Sequence, residues 1–353
     1  MRIQLALVAA AVVVVSCAGK SQNNEELEGT FDYQCIAFYN LENLFDTLID
    51  PDSNKILQDD FTPSGSKKWN TKKYYEKLDN LALVISKLGA EKTENGLAIL
   101  GVSEIENKSV LIDLVAQEKI KSRNYQIVHY ESPDKRGIDV GLLYNPTFFK
   151  VLSTSAYNVN NPEDSTWRTR NQLLVTGELN GERIHVMVVH WPSRRGGQKK
   201  SAPKRDLAAK VGRTVIDSIL KAEPNAKIFY IGDLNDDPKD VSVRKTLGSV
   251  GEIDKLEEGN LFNPLESFHE KGIGSLCYND VWNLFDQIII TQELVKTDYS
   301  SYRFSSVVVY NKDYLIQKSG RYVGYPKRTY SMGQYNGGYS DHFPVYLFLI
   351  KTK

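Results

Sequence analysis

Five apolar, strand-like runs in this chain each deliver a polar side chain where they stop, and no other feature constrains the fold as tightly. Gln34 to Tyr39 ends at Asn40, Leu97 to Ser103 at Glu104, and Ile184 to Val189 at His190. Ile228 to Ile231 runs into Gly232-Asp233-Leu234-Asn235, and Ser340-Asp341-His342 stands at a strand end near the C-terminus. Groups placed at strand ends converge on one edge of a sheet. Hard oxygens, two imidazoles and an amide gathered there suit Mg²⁺-assisted hydrolysis of phosphate esters, where charge must be neutralised on phosphate, entering water and leaving oxygen.

Between these runs the pattern alternates strand with helix. Tyr74, Leu78, Leu81, Ile85 and Leu88 recur at helical spacing, and Gly89 supplies a stop. Asn107 is placed to cap a short helix carrying Leu111, Leu114 and Val115. Pro203 reads as the opening of a third helix that buries Leu207, Val211, Val215 and Ile219. Strands with little alternation imply sheets covered on both faces. The strand pairs from Tyr125 to Tyr144 and from Leu173 to Val189 read as hairpins with turns such as Asn180-Gly181. The predicted fold is therefore α/β, a four-layer sandwich of two packed mixed β-sheets flanked by helices. A single doubly wound sheet is the alternative.

Met1-Arg2 and the apolar run Leu5 to Val15 form a signal-like leader too short to span a bilayer, followed at once by Ser16-Cys17. The junction resembles a bacterial lipobox, which implies cleavage before Cys17 and acylation of that residue; an ordinary secretory signal is the alternative. Residues 1–17 are thus read as a lipoprotein signal, 18–31 as a polar tether, and 32–353 as one catalytic domain. That places the protein outside the cytoplasm, anchored on a bacterial membrane by lipid alone, and monomeric. Lysine plus arginine balance aspartate plus glutamate at 44 each, which excludes a globally basic nucleic-acid glove. Cys35 and Cys277 read as buried thiols, although an exported location permits a bridge.

The motifs Phe38-Tyr39-Asn40-Leu41, Val102-Ser103-Glu104, Val188-Val189-His190, Gly232-Asp233-Leu234-Asn235, Phe285-Asp286-Gln287-Ile288 and Ser340-Asp341-His342-Phe343-Pro344-Val345 occur in that order. Over about Tyr33 to Leu349 the chain resembles the endonuclease/exonuclease/phosphatase superfamily, which includes pancreatic-type deoxyribonuclease. The resemblance implies the same sandwich and a Mg²⁺-dependent hydrolase, with Mn²⁺ as substitute. Glu104 is then the principal metal ligand, with Asp341 facing the metal and Asn40 helping to hold metal or phosphate; Asn43 is the rival of Asn40, and Glu106 is read as surface. Asp233 orients the attacking water or binds metal, and Asn235 grips the phosphate. His342 is oriented by Asp286. His190 stands beside the leaving oxygen with Glu131 as its carboxylate partner. Arg170 is the preferred phosphate clamp over Arg168. Whether His342 or Asp233 takes the proton from water is left open.

Substrate class is less constrained. His190 is followed by a basic loop with Arg194, Arg195, Lys199, Lys200, Lys204 and Arg205, and Lys67, Lys68, Trp69, Lys72 and Lys73 form a second basic-aromatic stretch. Such groups track a polyanionic backbone and stack on bases. The stretch from Gln317 to Tyr339, rich in tyrosine, reads as a substrate-facing loop or as edge cover, and Gly337-Gly338 suggests close backbone approach. Nucleic acid is the favoured substrate. Inositol phosphates or phospholipid head groups are the alternative, and a polyanion-binding scaffold without activity is a third reading.

Overall fold

A computed structural model describes residues 30–353 apart from Asn54, so the leader, Cys17 and nearly all of the tether lie outside the described residues. Its strands are β1 (Phe31–Leu44), β2 (Ile99–Ile105), β3 (Gln126–His129), β4 (Asp139–Tyr144), β5 (Phe149–Tyr157), β6 (Gln172–Leu179), β7 (Glu182–His190), β8 (Ile228–Asp233), β9 (Ser249–Val250), β10 (Leu261–Phe262), β11 (Leu276–Tyr278), β12 (Val281–Asn283), β13 (Asp286–Thr291), β14 (Arg303–Val309), β15 (Tyr330–Ser331), β16 (Gln334–Tyr335) and β17 (Val345–Thr352). Four α-helices accompany them: α1 (Thr71–Lys87), α2 (Lys108–Val115), α3 (Gln198–Ala222) and α4 (Glu266–Glu270). Among the described residues the strands form two large mixed sheets, ordered β14-β17-β1-β2-β4-β3 and β5-β6-β7-β8-β13-β10-β9, and two two-stranded hairpins, β11-β12 and β15-β16.

Side-chain alternation explains the layering. In the second sheet Val186, Val188, Phe229, Ile231, Ile288 and Ile290 join the core shared with the first sheet and with α1 and α2. The residues between them, Met187, Val189, Tyr230 and Ile289, point the other way into a smaller core with α3. Gly101 marks how close the sheets lie, since a Cβ there would meet Ile231 Cδ1 at 2.7 Å. The four-layer sandwich follows, and the single doubly wound sheet is excluded.

Local signals account for most elements. Asn70 and Asn107 cap α1 and α2, accepting from Lys73 N and Val110 N, both at 3.1 Å. Asn180 and Gly181, at φ of 46° and 85°, turn the β6/β7 hairpin with the twist its strands require. Helix α3 departs from expectation. It starts at Gln198 rather than at Pro203, and its buried face is Ser201, Arg205, Ala208, Ala209, Gly212, Val215 and Ile216. Leu207, Val211 and Ile219 sit at the margin, half-buried. Small residues let the helix approach closely, for a Cβ on Gly212 would lie 2.6 Å from the Tyr230 ring. Cys35 and Cys277 are both buried free thiols.

Candidate active site

Strand register builds the site before any loop contributes. His190 on β7 pairs with Asp233 on β8, and Asp233 pairs with Asp286 on β13, so three functional groups stand side by side at one sheet edge. In the facing sheet β1 and β2 do not stop where the apolar runs stop. They continue to Leu44 and Ile105 through register shifts at Asn40/Leu44 and Ser103/Ile105. Bulges of this kind re-aim side chains. Glu42, Asn43, Glu104 and Asn235 all adopt left-handed backbone, with φ between 49° and 58°, a conformation that non-glycine residues hold mainly where surroundings enforce it.

Asn40 Nδ2 donates to Asp233 Oδ2 at 3.0 Å, and its Oδ1 accepts from Glu42 N at 2.9 Å. Asp233 Oδ1 also accepts from Asn235 N at 2.9 Å. His342 Nδ1 lies 2.6 Å from Asp286 Oδ2, while Nε2 faces Asp233 Oδ2 at 3.9 Å and Asp341 Oδ1 at 4.0 Å. Ser275 Oγ donates to the same Asp286 oxygen. His190 Nε2 looks toward Asp233 Oδ2 at 3.6 Å and Glu104 Oε1 at 4.0 Å.

The two imidazoles are tuned in opposite directions. Burial opposes charge on His342, but Asp286, followed by Asp233 and Asp341, outweighs it and holds the imidazolium well above its ordinary range. His190 is pushed well below it by burial, with Arg170, Arg136 and His342 adding repulsion, so it rests neutral. Burial, with Asp286 and Glu104 nearby, raises Asp233 to about 7 despite the opposing pull of His342. One carboxyl held near neutrality between an imidazole kept charged and another kept neutral divides the acid and base roles that proton transfer needs.

Glu104 and Asp341 are each matched by an arginine. Arg136 Nη2 reaches Glu104 Oε1 at 3.2 Å and Asn43 Oδ1 at 2.9 Å, and Asn43 N donates to Glu104 Oε2 at 2.9 Å. Arg328 Nη2 reaches Asp341 Oδ2 at 2.8 Å, and its Nε reaches Glu42 Oε1 at 3.2 Å. Behind them the buried Lys77 donates to Glu42 O at 2.7 Å and Thr329 Oγ1 at 2.6 Å. Beside the two imidazoles, the donors that the described residues bring to this edge are carboxylate and amide oxygens without a thiol, and the oxygens fit a hard divalent cation. Glu104 and Asp341 would hold it. Such an ion would supply a positive charge against the phosphate oxygens. Arg136, Glu42 and Lys77 escaped the sequence reading because a turn arginine, a bulge residue and a helix lysine carry no local pattern. The left-handed bulge that needs them is a property of the fold.

Several anticipated residues are placed otherwise. Glu131 does not reach His190: its side chain is 56% exposed and pairs with Lys55 at 3.1 Å, and His190 Nδ1 has no hydrogen-bond partner among the described residues. Arg170 is buried as a bracket, bonding His190 O at 3.2 Å, Asp134 Oδ2 at 3.1 Å and Trp191 O, so it positions the β7 end instead of meeting solvent phosphate. Arg194 is likewise committed, to Asp240 at 2.6 Å, Asp237 at 3.1 Å and Asn235 O at 2.9 Å, and packs on the Phe285 ring. Arg195, Lys199 and Lys200 remain exposed. Arg205 is fully buried against Asp236 at 2.7 Å. Asn235 Nδ2 donates to Trp191 O at 3.0 Å. Trp69 is core, its Nε1 bonded to Phe45 O at 3.0 Å, and cannot stack on a substrate. Gly338 does mark close approach, since a Cβ would meet Lys327 O at 2.1 Å and Arg328 O at 2.2 Å.

Glu106 is not on the surface. It is buried, accepts from Asp46 N at 2.8 Å, and burial raises its pKa from the ordinary 4.5 to about 8. A raised carboxyl favours the fold while it is protonated. That contribution is whole below pH 4.5 and is lost as pH rises toward about 8. Glu106→Gln is therefore expected to match the wild type near pH 5 and to exceed it by on the order of 2–4 kcal/mol at pH 9. Urea unfolding at the two pH values checks this; a difference independent of pH refutes it.

A family model described as the Endonuclease/Exonuclease/phosphatase family matches residues 35–351. Among solved structures the chain is similar to a humanized TDP2 of D. rerio carrying 14 mutations, with TM-score 0.55 and 14% identity over 90% of this chain and 98% of that one. It is also similar to an endonuclease/exonuclease/phosphatase family protein from Bacteroides thetaiotaomicron, with TM-score 0.52 and 14% identity over 92% and 96%. TDP2 of D. rerio complexed with a single-strand DNA product gives TM-score 0.52 and 16% identity over 90% and 98%. No curated protein sequence matches significantly. At these identities the structures show a common fold, and the family match extends across both sheets and every residue of the catalytic edge. The chain belongs to the endonuclease/exonuclease/phosphatase family, whose members hydrolyse phosphate esters with divalent metals.

Proposed function

We propose that this protein is an exported, Mg²⁺-dependent nuclease that hydrolyses phosphodiester bonds of nucleic acid by water attack in line with the leaving oxygen. The observation that carries the reading is the register row His190, Asp233 and Asp286 with His342 seated on Asp286. In this scheme Asn40 orients Asp233, which holds the attacking water and accepts its proton near neutral pH. His342, kept charged by Asp286, supplies positive charge beside the phosphate and gives its Nε2 proton to the departing oxygen as the ester bond breaks, while Asp233 keeps the one taken from water. His190, neutral and held by the Arg170 bracket, faces the same space from the other side and stabilises the departing oxygen. Glu104 and Asp341 would hold Mg²⁺, which when bound would supply the remaining positive charge against the phosphate oxygens.

Nucleic acid is favoured over a small phosphorylated molecule by the exposed Arg195, Lys199 and Lys200 that follow the His190 strand end, and by the likeness to a protein whose structure holds a DNA product. Purified protein with Mg²⁺, offered plasmid DNA, RNA, bis-p-nitrophenyl phosphate and inositol phosphates, should cleave DNA or RNA. Hydrolysis confined to inositol phosphates would sink the nuclease reading.

Export and anchoring are proposed from the leader and Cys17. Wild-type protein is expected to partition into detergent with the membrane fraction, and Cys17→Ala to lose that behaviour. Equal solubility of the two forms would point to an ordinary secretory signal.

A further inference from the structure

One loop, residues 130–138 between β3 and β4, reaches toward both sides of the catalytic edge. Its root is clasped: His129 Nε2 lies 2.9 Å from Asp139 Oδ2, and Ser132 N donates to Asp139 Oδ1 at 3.0 Å. Ile56 N donates to Lys135 O at 2.9 Å, which ties the tip to the segment that follows β1. From the tip Arg136 extends to Glu104, while Asp134 turns inward and is only 6% exposed. Asp134 Oδ1 accepts from Arg136 N at 2.9 Å, and its Oδ2 accepts from Arg170 Nη1 at 3.1 Å. A single buried carboxylate therefore joins the residue bonded to Glu104 to the residue that grips the end of β7.

His190 depends on that grip. It is the last residue of β7, and its Nδ1 has no hydrogen-bond partner among the described residues, so the ring is aimed by its backbone and its packing. Arg170 holds the backbone there, donating to His190 O at 3.2 Å and to Trp191 O. Arg170 is itself buried, and Asp134 is the carboxylate paired with it. Taking one partner out of a buried ion pair leaves an uncompensated charge, which is strongly unfavourable and draws the side chain toward water. An Arg170 released in this way lets go of both carbonyls, and the His190 ring loses its aim.

We propose that Asp134 is a positioning residue for the departing oxygen, fixing through Arg170 where the His190 ring stands. The inference rests on the role given to His190 above. Asp134 thereby takes over, at one remove, the part that the resemblance gave to Glu131. A role in the fold alone would slow the reaction alike for every ester. Loss of the His190 aim is felt only where the departing oxygen needs help, which is where it leaves as a strong base.

The test is leaving-group dependence. Methyl p-nitrophenyl, methyl p-chlorophenyl and methyl phenyl phosphates, offered with Mg²⁺, place progressively more basic phenolates on the departing side, and kcat/KM is measured for each. Asp134→Asn should lose no more than about 3-fold on the p-nitrophenyl ester and about 10–100-fold on the phenyl ester, the scale of a small misplacement at the reacting centre. His190→Ala should show the same selectivity, and Asp134→Asn/His190→Ala should be no worse than His190→Ala alone, because the two act as one unit. Asp134→Asn/Arg170→Gln removes both buried charges, so it should keep the selective loss while melting closer to wild type, which guards against a misfolded single variant. Uniform loss across the esters, or losses that multiply in the Asp134/His190 double variant, overturn the assignment of Asp134 and leave His190 in the mechanism. A His190→Ala variant without selectivity removes His190 from the departing oxygen and this inference with it. Failure of the wild type on every ester overturns the phosphodiesterase reading and this inference together.

Discussion

His342→Ala is expected to lower turnover on the best phosphodiester by about 10²–10⁴-fold, the range typical of a group that gives or takes a proton at the reacting centre. The size follows from its surroundings. His342 is buried, its Nδ1 is fixed by Asp286 at 2.6 Å, and its Nε2 has two carboxylates within 4.0 Å and no other role in the fold. Removing the ring also leaves the fully buried Asp286 with one donor fewer, Ser275 remaining, so His342→Asn, which retains a polar side chain beside that carboxylate, separates lost chemistry from lost stability. Asp286→Asn should act on the same residue from behind. Without the charge that holds the imidazolium above its usual range, the His342 titration moves to lower pH, and the alkaline limb of the pH–rate profile shifts with it. Rate profiles of the three variants, with circular dichroism to verify folding, check the set. Near wild-type turnover in a folded His342 variant would remove the histidine from the mechanism.

Exhaustive chelation is expected to abolish activity, and added Mg²⁺ or Mn²⁺ to restore it. Glu104, Asp233, Asp286 and Asp341 face one space, and the nearby arginines are already paired with Glu104 and Asp341. An incoming phosphate is repelled by these carboxylates unless a cation intervenes. Glu104→Gln should raise the Mg²⁺ concentration needed for half activity by at least about 10-fold. Full activity after chelation, or zinc retained through purification, would contradict the hard-cation assignment.

The residues that could be read from sequence are those whose position depends on strand ends. His190, Asp233 and Asp286 lie at the ends of apolar runs, and pairing alone brings them together. Asn40 and Glu104 were found for the same reason, yet their strands run on through bulges, because hydrophobic periodicity marks where burial stops and not where backbone pairing stops. Long charged side chains were harder. Arg170, Arg194 and Arg205 sit in a basic stretch or at a strand start that suggests solvent, and all three turn inward to brackets with Asp134, with Asp237 and Asp240, and with Asp236. Their partners are distant in the chain, so no local pattern distinguishes a bracket from a phosphate clamp. Trp69 misled similarly: lysines flank it, but its ring closes the core beside Phe61 and Tyr330.

The pairing of His190, Asp233 and Asp286 across three adjacent strands divides the molecule's freedom to change. A slip of one residue in either ladder would turn the reacting groups to opposite faces, so the chemistry is bound to the backbone and resists gradual alteration. The tyrosine-bearing segments lie outside those ladders, tied to the edge through Arg328 and Thr329, and surface segments of this kind tolerate insertion and exchange. Descendants of such a chain can acquire new substrates by rewriting those segments alone, while the hydrolytic row passes unchanged from one specificity to the next.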